Sequence, residues 1–176
     1  IRVAGVDDQR QAGFLRGLDV ETERGLLDGL GVRRVVVVEA GLADADEFRR
    51  NLEACKQAGA RIIVTSVGNP TAHAPMVRNM GMLHYHDVTN LRFAEKAAAA
   101  GGDGMIAIGA GGGGHAGTIT HLTFIPKLRA MFDGTIVMAG AVSTGAVIRA
   151  AEVLGADLAY VGTRFIATKE AGAPQA

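Results

Sequence analysis

Short apolar, β-branched runs return along this chain about every 25 residues, and that spacing constrains the fold more than any other feature of the sequence. The runs are RRVVVVEA from Arg33, RIIVTSVG from Arg61, MLHYHDV from Met82, GMIAIGA from Gly104, TIVMAGA from Thr135 and LAYVGT from Leu158. Each is nearly continuous in hydrophobicity rather than alternating. A strand buried on both faces requires that pattern, and it implies parallel strands with helices outside. IRVAGV at the start is a weaker seventh strand.

The segments between the runs carry helical spacing. Phe48, Leu52 and Cys55 share one face after the acidic start at Asp44 and Asp46, and Gly59 follows as a stop. Leu91, Ala94 and Ala98 repeat the arrangement after Thr89 and Asn90, and Val147, Ile148, Ala151 and Leu154 repeat it before Gly155. Each step is therefore one βα unit. Eight units need about 200 residues, and complete barrels run to about 250. With 176 residues, the counting favours an incomplete TIM (β/α)8-type barrel of about six to seven parallel strands, lacking its first strand or strands. A doubly wound open sheet is the alternative that pattern alone leaves open. The expected organisation is one partial barrel domain over 1–176, with 1–30 unassigned.

Composition narrows the partners. Eighteen basic residues balance eighteen acidic ones, so no net field draws the chain to nucleic acid or an anionic membrane, and a small molecule is the expected ligand. No apolar run approaches the roughly 20 residues that span a bilayer. Cys55 is the single cysteine, which excludes an internal disulfide and suits a reducing, cytoplasmic setting.

In parallel α/β folds functional groups gather at the C-terminal ends of strands. Three such ends stand out. Gly109 to Thr118 reads GAGGGGHAGT, where glycines permit close approach of a ligand to backbone and His115 follows four of them. Ala139 to Gly145 reads AGAVSTG, and Val161 to Phe165 reads VGTRF; small-residue loops at the last two strands suit a phosphate. The GxGxxG match at Gly109, Gly111 and Gly114 is accidental, since no acidic residue ends a strand about 20 residues on. His84 and His86 alternate on one strand face with Asp87 near the strand end, but a metal pair lacks a third ligand, so no metal is expected. His73 and His121 read as surface or helix-start residues, and Arg164 as a phosphate or ion-pair partner.

GGGGHAGT followed by AGAVSTGAVIRAAEVLGADLAYVGTRFIAT resembles the late barrel segment of the nitronate monooxygenase (2-nitropropane dioxygenase) family, with its GGHxG element, small-residue loop and closing GTRF element. The likeness runs from about Val64 to Ala171, and HDVTN at His86 to Asn90 resembles one bacterial branch. The resemblance implies a barrel that binds FMN non-covalently and oxidises alkyl nitronates with O2 to a carbonyl compound and nitrite. It implies His115 as the catalytic histidine, Gly113 and Gly114 beside the flavin, and Gly140, Ala141, Gly162 and Thr163 in the phosphate-binding loops. Ala141 stands where the commoner pattern has a second glycine, a mild change unless φ there is positive. The family's first-strand proline-methionine element has no counterpart before Arg33, so the resemblance leads to the expectation of an N-terminally truncated chain. Such a barrel would expose edge strands, so pairing into a homo-oligomer is an expected consequence. The same motifs also fit a flavin-dependent enoyl-acyl carrier protein reductase, or a non-catalytic barrel fragment that retains only phosphate binding.

Overall fold

The computed structural model describes residues 2–5, 15–21, 35–39, 44–113 and 116–166. Its strands are β1 (Arg2–Gly5), β2 (Leu15–Glu21), β3 (Val35–Glu39), β4 (Ile62–Ser66), β5 (Leu83–Val88), β6 (Gly104–Ile108), β7 (Thr135–Ala139) and β8 (Leu158–Tyr160). Helices α1 (Ala45–Gln57), α2 (His73–Asn79), α3 (Leu91–Ala99), α4 (His121–Met131) and α5 (Gly145–Leu154) connect the strands from β3 onward, and α6 (Thr163–Ile166) follows β8. All eight strands form one sheet in chain order, and the pairings from β3 to β8 are parallel. The six repeating runs are thus six parallel strands, each leading to a helix, which is the partial (β/α) barrel expected.

The beginning differs from expectation. The weak run at the start is a strand, but β1 pairs antiparallel with β2, and β2 antiparallel with β3. Leu18 and Val20 alternate with Asp19 and Glu21, a period-two pattern that suits an antiparallel ribbon rather than another buried parallel strand. That alternation was the available signal for β2.

Helix starts follow capping chemistry. Asp44 Oδ1 accepts from the amides of Asp46 and Glu47 at 3.0 and 2.7 Å, and Asn90 Oδ1 accepts from Phe93 at 3.0 Å, satisfying amides that have no intrahelical partner. Phe48, Leu52 and Cys55 are buried on α1 as their spacing requires. On α3 the buried residues are Ala94 and Ala97 rather than Ala98, and Ile148 on α5 is 40% exposed.

From β4 to β7 both faces of the sheet are covered. Outside, Val88, Met105, Ala107, Ile136 and Met138 pack on Phe124, Ile125 and Leu128 of α4 and on alanines of α3 and α5, while Ile63 packs on Phe48, Leu52, Cys55 and Val77. Inside, Ile62, Val64, Tyr85, Ile106, Val137 and Ala139 form a separate cluster. Tyr85 lies so close over Gly104 that a β-carbon there would sit 2.7 Å from its ring.

The N-terminal ends of the strands are fastened by side chains. Asp103, just before β6, accepts from the His84 amide of β5 at 2.9 Å, and Asp157, just before β8, accepts from the Ile136 amide of β7 at 2.8 Å. Arg129 pairs with Asp157 and donates to the carbonyls of Gly155, Phe132 and Gly134.

His84 and His86 share a strand face, as their alternation requires, but it is the face toward the helices. Both are buried, and Thr65 Oγ1 lies between them, 2.8 Å from His84 Nε2 and 2.7 Å from His86 Nδ1. One hydroxyl hydrogen can serve only one ring, so the other ring donates. His84 Nδ1 has no partner. Among the described residues, no group of three or more His, Cys, Asp or Glu is placed to hold a metal.

Burial holds both imidazoles neutral, pushing His84 and His86 from 6.5 down to about 4, with each also lowered by a neighbouring histidine. The unfolded chain therefore takes up protons that the folded chain refuses. The stability that these two rings contribute is complete above pH 6.5 and falls as pH drops toward 4, by about 1.4 kcal/mol per pH unit for each ring. Urea denaturation at a series of pH values should show this loss beginning near 6.5; a profile flat down to pH 4.5 would mean that the rings protonate within the fold.

Candidate functional site

The inner and outer faces of each strand alternate, so the side chains that reach the C-terminal mouth from inside are fixed by register. Val64 pairs with Tyr85, Asp87 with Ile106, and Ala139 with Tyr160. Ser66, Asp87, Ile108, Ala139 and Tyr160 therefore ring the top of the interior. All five positions lie within the predicted strands. Asp87, near its strand end as expected, lies on the opposite face from the histidines.

The glycine run after β6 and the small-residue loop after β7 are brought into direct contact. A β-carbon at Gly111 would lie 2.4 Å from Ala141 Cβ, and one at Gly140 would lie 2.7 Å from the Gly112 amide nitrogen. Neither glycine can be replaced without displacing the other loop. Further bonds seat the run: Gly109 N donates to Ala139 O at 3.2 Å, Ala110 N to Ile119 O at 3.0 Å and Gly112 N to Gly109 O at 3.0 Å. His121, the first residue of α4, donates from Nε2 to the same Ala139 carbonyl at 2.8 Å. It is a fastening beneath the glycine loop. Gly117 closes the loop's far end, where a β-carbon would meet the carbonyl oxygens of Ile108 and Thr89 at 2.4 and 2.8 Å.

Above these contacts the surface is open. A β-carbon at Gly113 or at Gly162 would meet nothing within 4 Å. Gly113 is exposed, as are Ala141, Thr163 and Arg164. The turn with Gly162 and Thr163 leaves β8, the neighbour of β7, so three consecutive strand ends present small residues and backbone at one mouth. Gly114 and His115 lie outside the described residues. His73 begins α2 and packs edge-on against Phe48 of α1 at 4.5 Å.

Two residues at the mouth carry strained backbone. Ala141 has φ of +56° and Val67, just after β4, has φ of +62°. Left-handed backbone costs an ordinary residue about 1–2 kcal/mol, and a β-branched one more. The alanine for glycine at 141 is therefore not mild, because its φ is positive. The preceding Gly140, at +99°, has the same turn without that cost.

The contact between Gly111 and Ala141 gives a reciprocal test. Gly111 has no positive φ, so Gly111→Ala fails only through its neighbour. Thermal unfolding should show Gly111→Ala destabilising by about 1–3 kcal/mol, Ala141→Gly stabilising by about 0.5–1 kcal/mol, and the double variant recovering most of the loss. Additive effects in the double variant would mean that the loops are not in contact.

Comparison with known proteins agrees with this geometry. The family model described as nitronate monooxygenase matches residues 31–176. A 5-hydroxy-7a-methyl-1-oxo-octahydro-1H-indene-4-carboxyl-CoA dehydrogenase from Mycobacterium tuberculosis is 28% identical over 137 residues, 76% of this chain and 39% of its own length. A nitronate monooxygenase from Neurospora crassa is 34% identical over 104 residues, 54% of this chain and 28% of its own. Among solved structures, a variant of FabK from Thermotoga maritima superposes with a TM-score of 0.70 at 27% identity, covering 77% of this chain and 45% of that one. The chain thus spans less than half the length of each of these relatives. Its match to the family model over residues 31–176, with six parallel strands and touching glycine loops at their C-terminal ends, places the chain in the nitronate monooxygenase family.

Proposed function

We propose that this chain forms the C-terminal portion of a flavin site and that the enzyme to which it belongs oxidises alkyl nitronates with O2 to a carbonyl compound and nitrite. The observation that carries this reading is the seating of Gly111 and Gly112 against Gly140 and Ala141, with open space over Gly113. Two loops pressed together with nothing larger than the Ala141 methyl between them leave a flat, mostly backbone surface, which suits a planar ring, and small-residue turns at the next strand suit a phosphate. These residues fit FMN: Gly113 and Gly114 would lie beside the ring system, and Gly140, Ala141, Gly162 and Thr163 would hold the phosphate. When bound, the flavin would supply the electron transfer that no side chain here can perform.

His115 would contact the nitro group and take a proton from a neutral nitroalkane. An imidazole does this well because its ordinary titration lies close to working pH. His121 would act only indirectly, by holding the Ala139 carbonyl under the glycine loop. The whole of 1–176 is read as one partial barrel domain, acting on a small molecule in the cytoplasm, with no nucleic-acid partner. Among the described residues no helix is long and apolar enough to cross a membrane.

A second reading has a specific observation behind it. The dehydrogenase relative aligns with 76% of this chain, against 54% for the nitronate monooxygenase, which supports a hydroxylated acyl thioester as substrate instead.

The visible spectrum of the purified full chain decides first. After incubation with FMN and removal of excess, flavin bands should remain, and anaerobic addition of propyl nitronate should bleach them. His115→Asn should keep the bands while slowing turnover of neutral nitroalkane by about 100-fold or more. A chain that takes up no FMN would sink the reading. Bands that persist with nitronate but bleach with a hydroxyacyl thioester would favour the second substrate.

A further inference from the structure

Nothing in the seating of the glycine loops calls for a strained valine at the end of β4. Val67, the residue after that strand, has φ of +62°, and Gly68 follows at +91°. The chain on either side is held. Ser66 pairs with Glu39 of β3, and Pro70 is buried. Asn69 Oδ1 accepts from the Thr71 amide at 3.2 Å and from the Thr71 hydroxyl at 2.7 Å. The Pro70 carbonyl accepts from the amides of His73 and Ala74 at 3.0 and 2.9 Å. Two successive left-handed residues thus sit in a short loop fixed at both ends, and the strain has no route to relax.

Glycine or asparagine would take this backbone at far less cost than a β-branched residue. Burial does not recover the cost, since Val67 is 47% exposed. Tyr160, the last residue of β8, is 41% exposed. Among the described residues, the other exposed large apolar side chains lie on helices or, for Leu83, at the first residue of β5. The glycine loops after β6 and β7 therefore lie between two open apolar side chains, Val67 beyond β5 on one side and Tyr160 on β8 at the other. The ends of β4 and β6, two strands apart, are separated by about 10 Å. A small molecule resting on the glycine loops and reaching across β5 spans that gap. An apolar residue that is costly where it stands, yet left uncovered, is the pattern of a site kept for a ligand.

We propose that Val67 is a specificity-determining residue that packs against the alkyl group of the small anion held over the glycine loops, and so selects longer alkyl chains over shorter ones. This rests on the flavin-site reading, since the loops and the flavin fix where the anion sits. A nitronate carries its charge at one end and hydrocarbon at the other. The charged end has His115 as its proposed partner. The hydrocarbon end has no polar group to satisfy, so an apolar side chain at the rim serves it by taking it out of water. Each methylene fully covered in this way strengthens binding about fourfold. The strained backbone keeps the valine at the rim whether or not a ligand is present.

Acetate, propionate and butyrate share the charge of nitronates of rising length without reacting, and serve as probes on the FMN-loaded full chain. Their dissociation constants are read from the shift of the flavin bands. Wild type should bind butyrate about tenfold more tightly than acetate, from two added methylenes. Val67→Asn, whose side chain is polar and whose backbone accepts left-handed φ, should bind acetate as wild type does, lose most of the preference for butyrate and melt no lower than wild type. Val67→Ile should keep the preference. A Val67→Asn protein that still prefers butyrate as wild type does would overturn the proposal. So would one that melts below wild type, because Val67 would then serve the fold, or one that alone fails to hold FMN, because Val67 would then serve the flavin. Failure of wild type to hold FMN would sink the flavin reading, and this inference with it; retained FMN with an indifferent Val67→Asn sinks this inference alone.

Discussion

Covering a parallel sheet on both faces leaves polar side chains few places to go. Outside, the strands press on helices through Phe124, Ile125, Leu128, Phe48 and Leu52; inside, they press on one another through Ile62, Val64, Ile106 and Val137. An unpaired polar group in either layer costs about 1–3 kcal/mol. Chemistry is therefore forced to the strand ends. The N-terminal ends take the fastening groups Asp103, Asp157 and Arg129, and the C-terminal ends take the glycine loops, Ser66, Asp87 and Tyr160.

The one polar group that lies within a layer shows the same rule from the other side. Thr65 joins His84 and His86 in a chain of two hydrogen bonds that leaves only His84 Nδ1 without a partner, and burial keeps both rings uncharged. Their placement depends on a two-residue periodicity, so a slip of one residue in β5 would carry them inside and turn Asp87 outward. The same register that hides the histidines delivers the carboxylate to the mouth.

Most of the architecture was legible because it is written in hydrophobic continuity. Arg33 to Ala40, and the five runs after it, could only be strands covered on both sides, and the caps Asp44 and Asn90 and the stop at Gly59 were equally plain. The glycine run and the AGAV loop were visible as candidates, but their contact was not, because Gly111 and Ala141 are thirty residues apart in sequence. The φ of Ala141 was hidden for a related reason: alanine gives no local sign that its backbone is left-handed. Asp87 was visible near its strand end, but alternation names faces without saying which is inner. Strand β2 was the harder element to see, because an antiparallel ribbon alternates in hydrophobicity where the other strands run on.

The aspartates before β6 and β8 have a consequence for how the sheet would come apart. Each latches its strand to the one before it, so the bottom of the molecule holds β5 to β6 and β7 to β8 through side chains. Between those two couples, the seam from β6 to β7 has its backbone ladder and, at the opposite end, the glycine loop leaning on Gly140 and Ala141. The sheet is thus stapled in alternation, below within each couple and above between them. A ligand resting on the upper staple would do more than occupy a surface: it would hold shut the seam between the two couples, which the lower staples leave free.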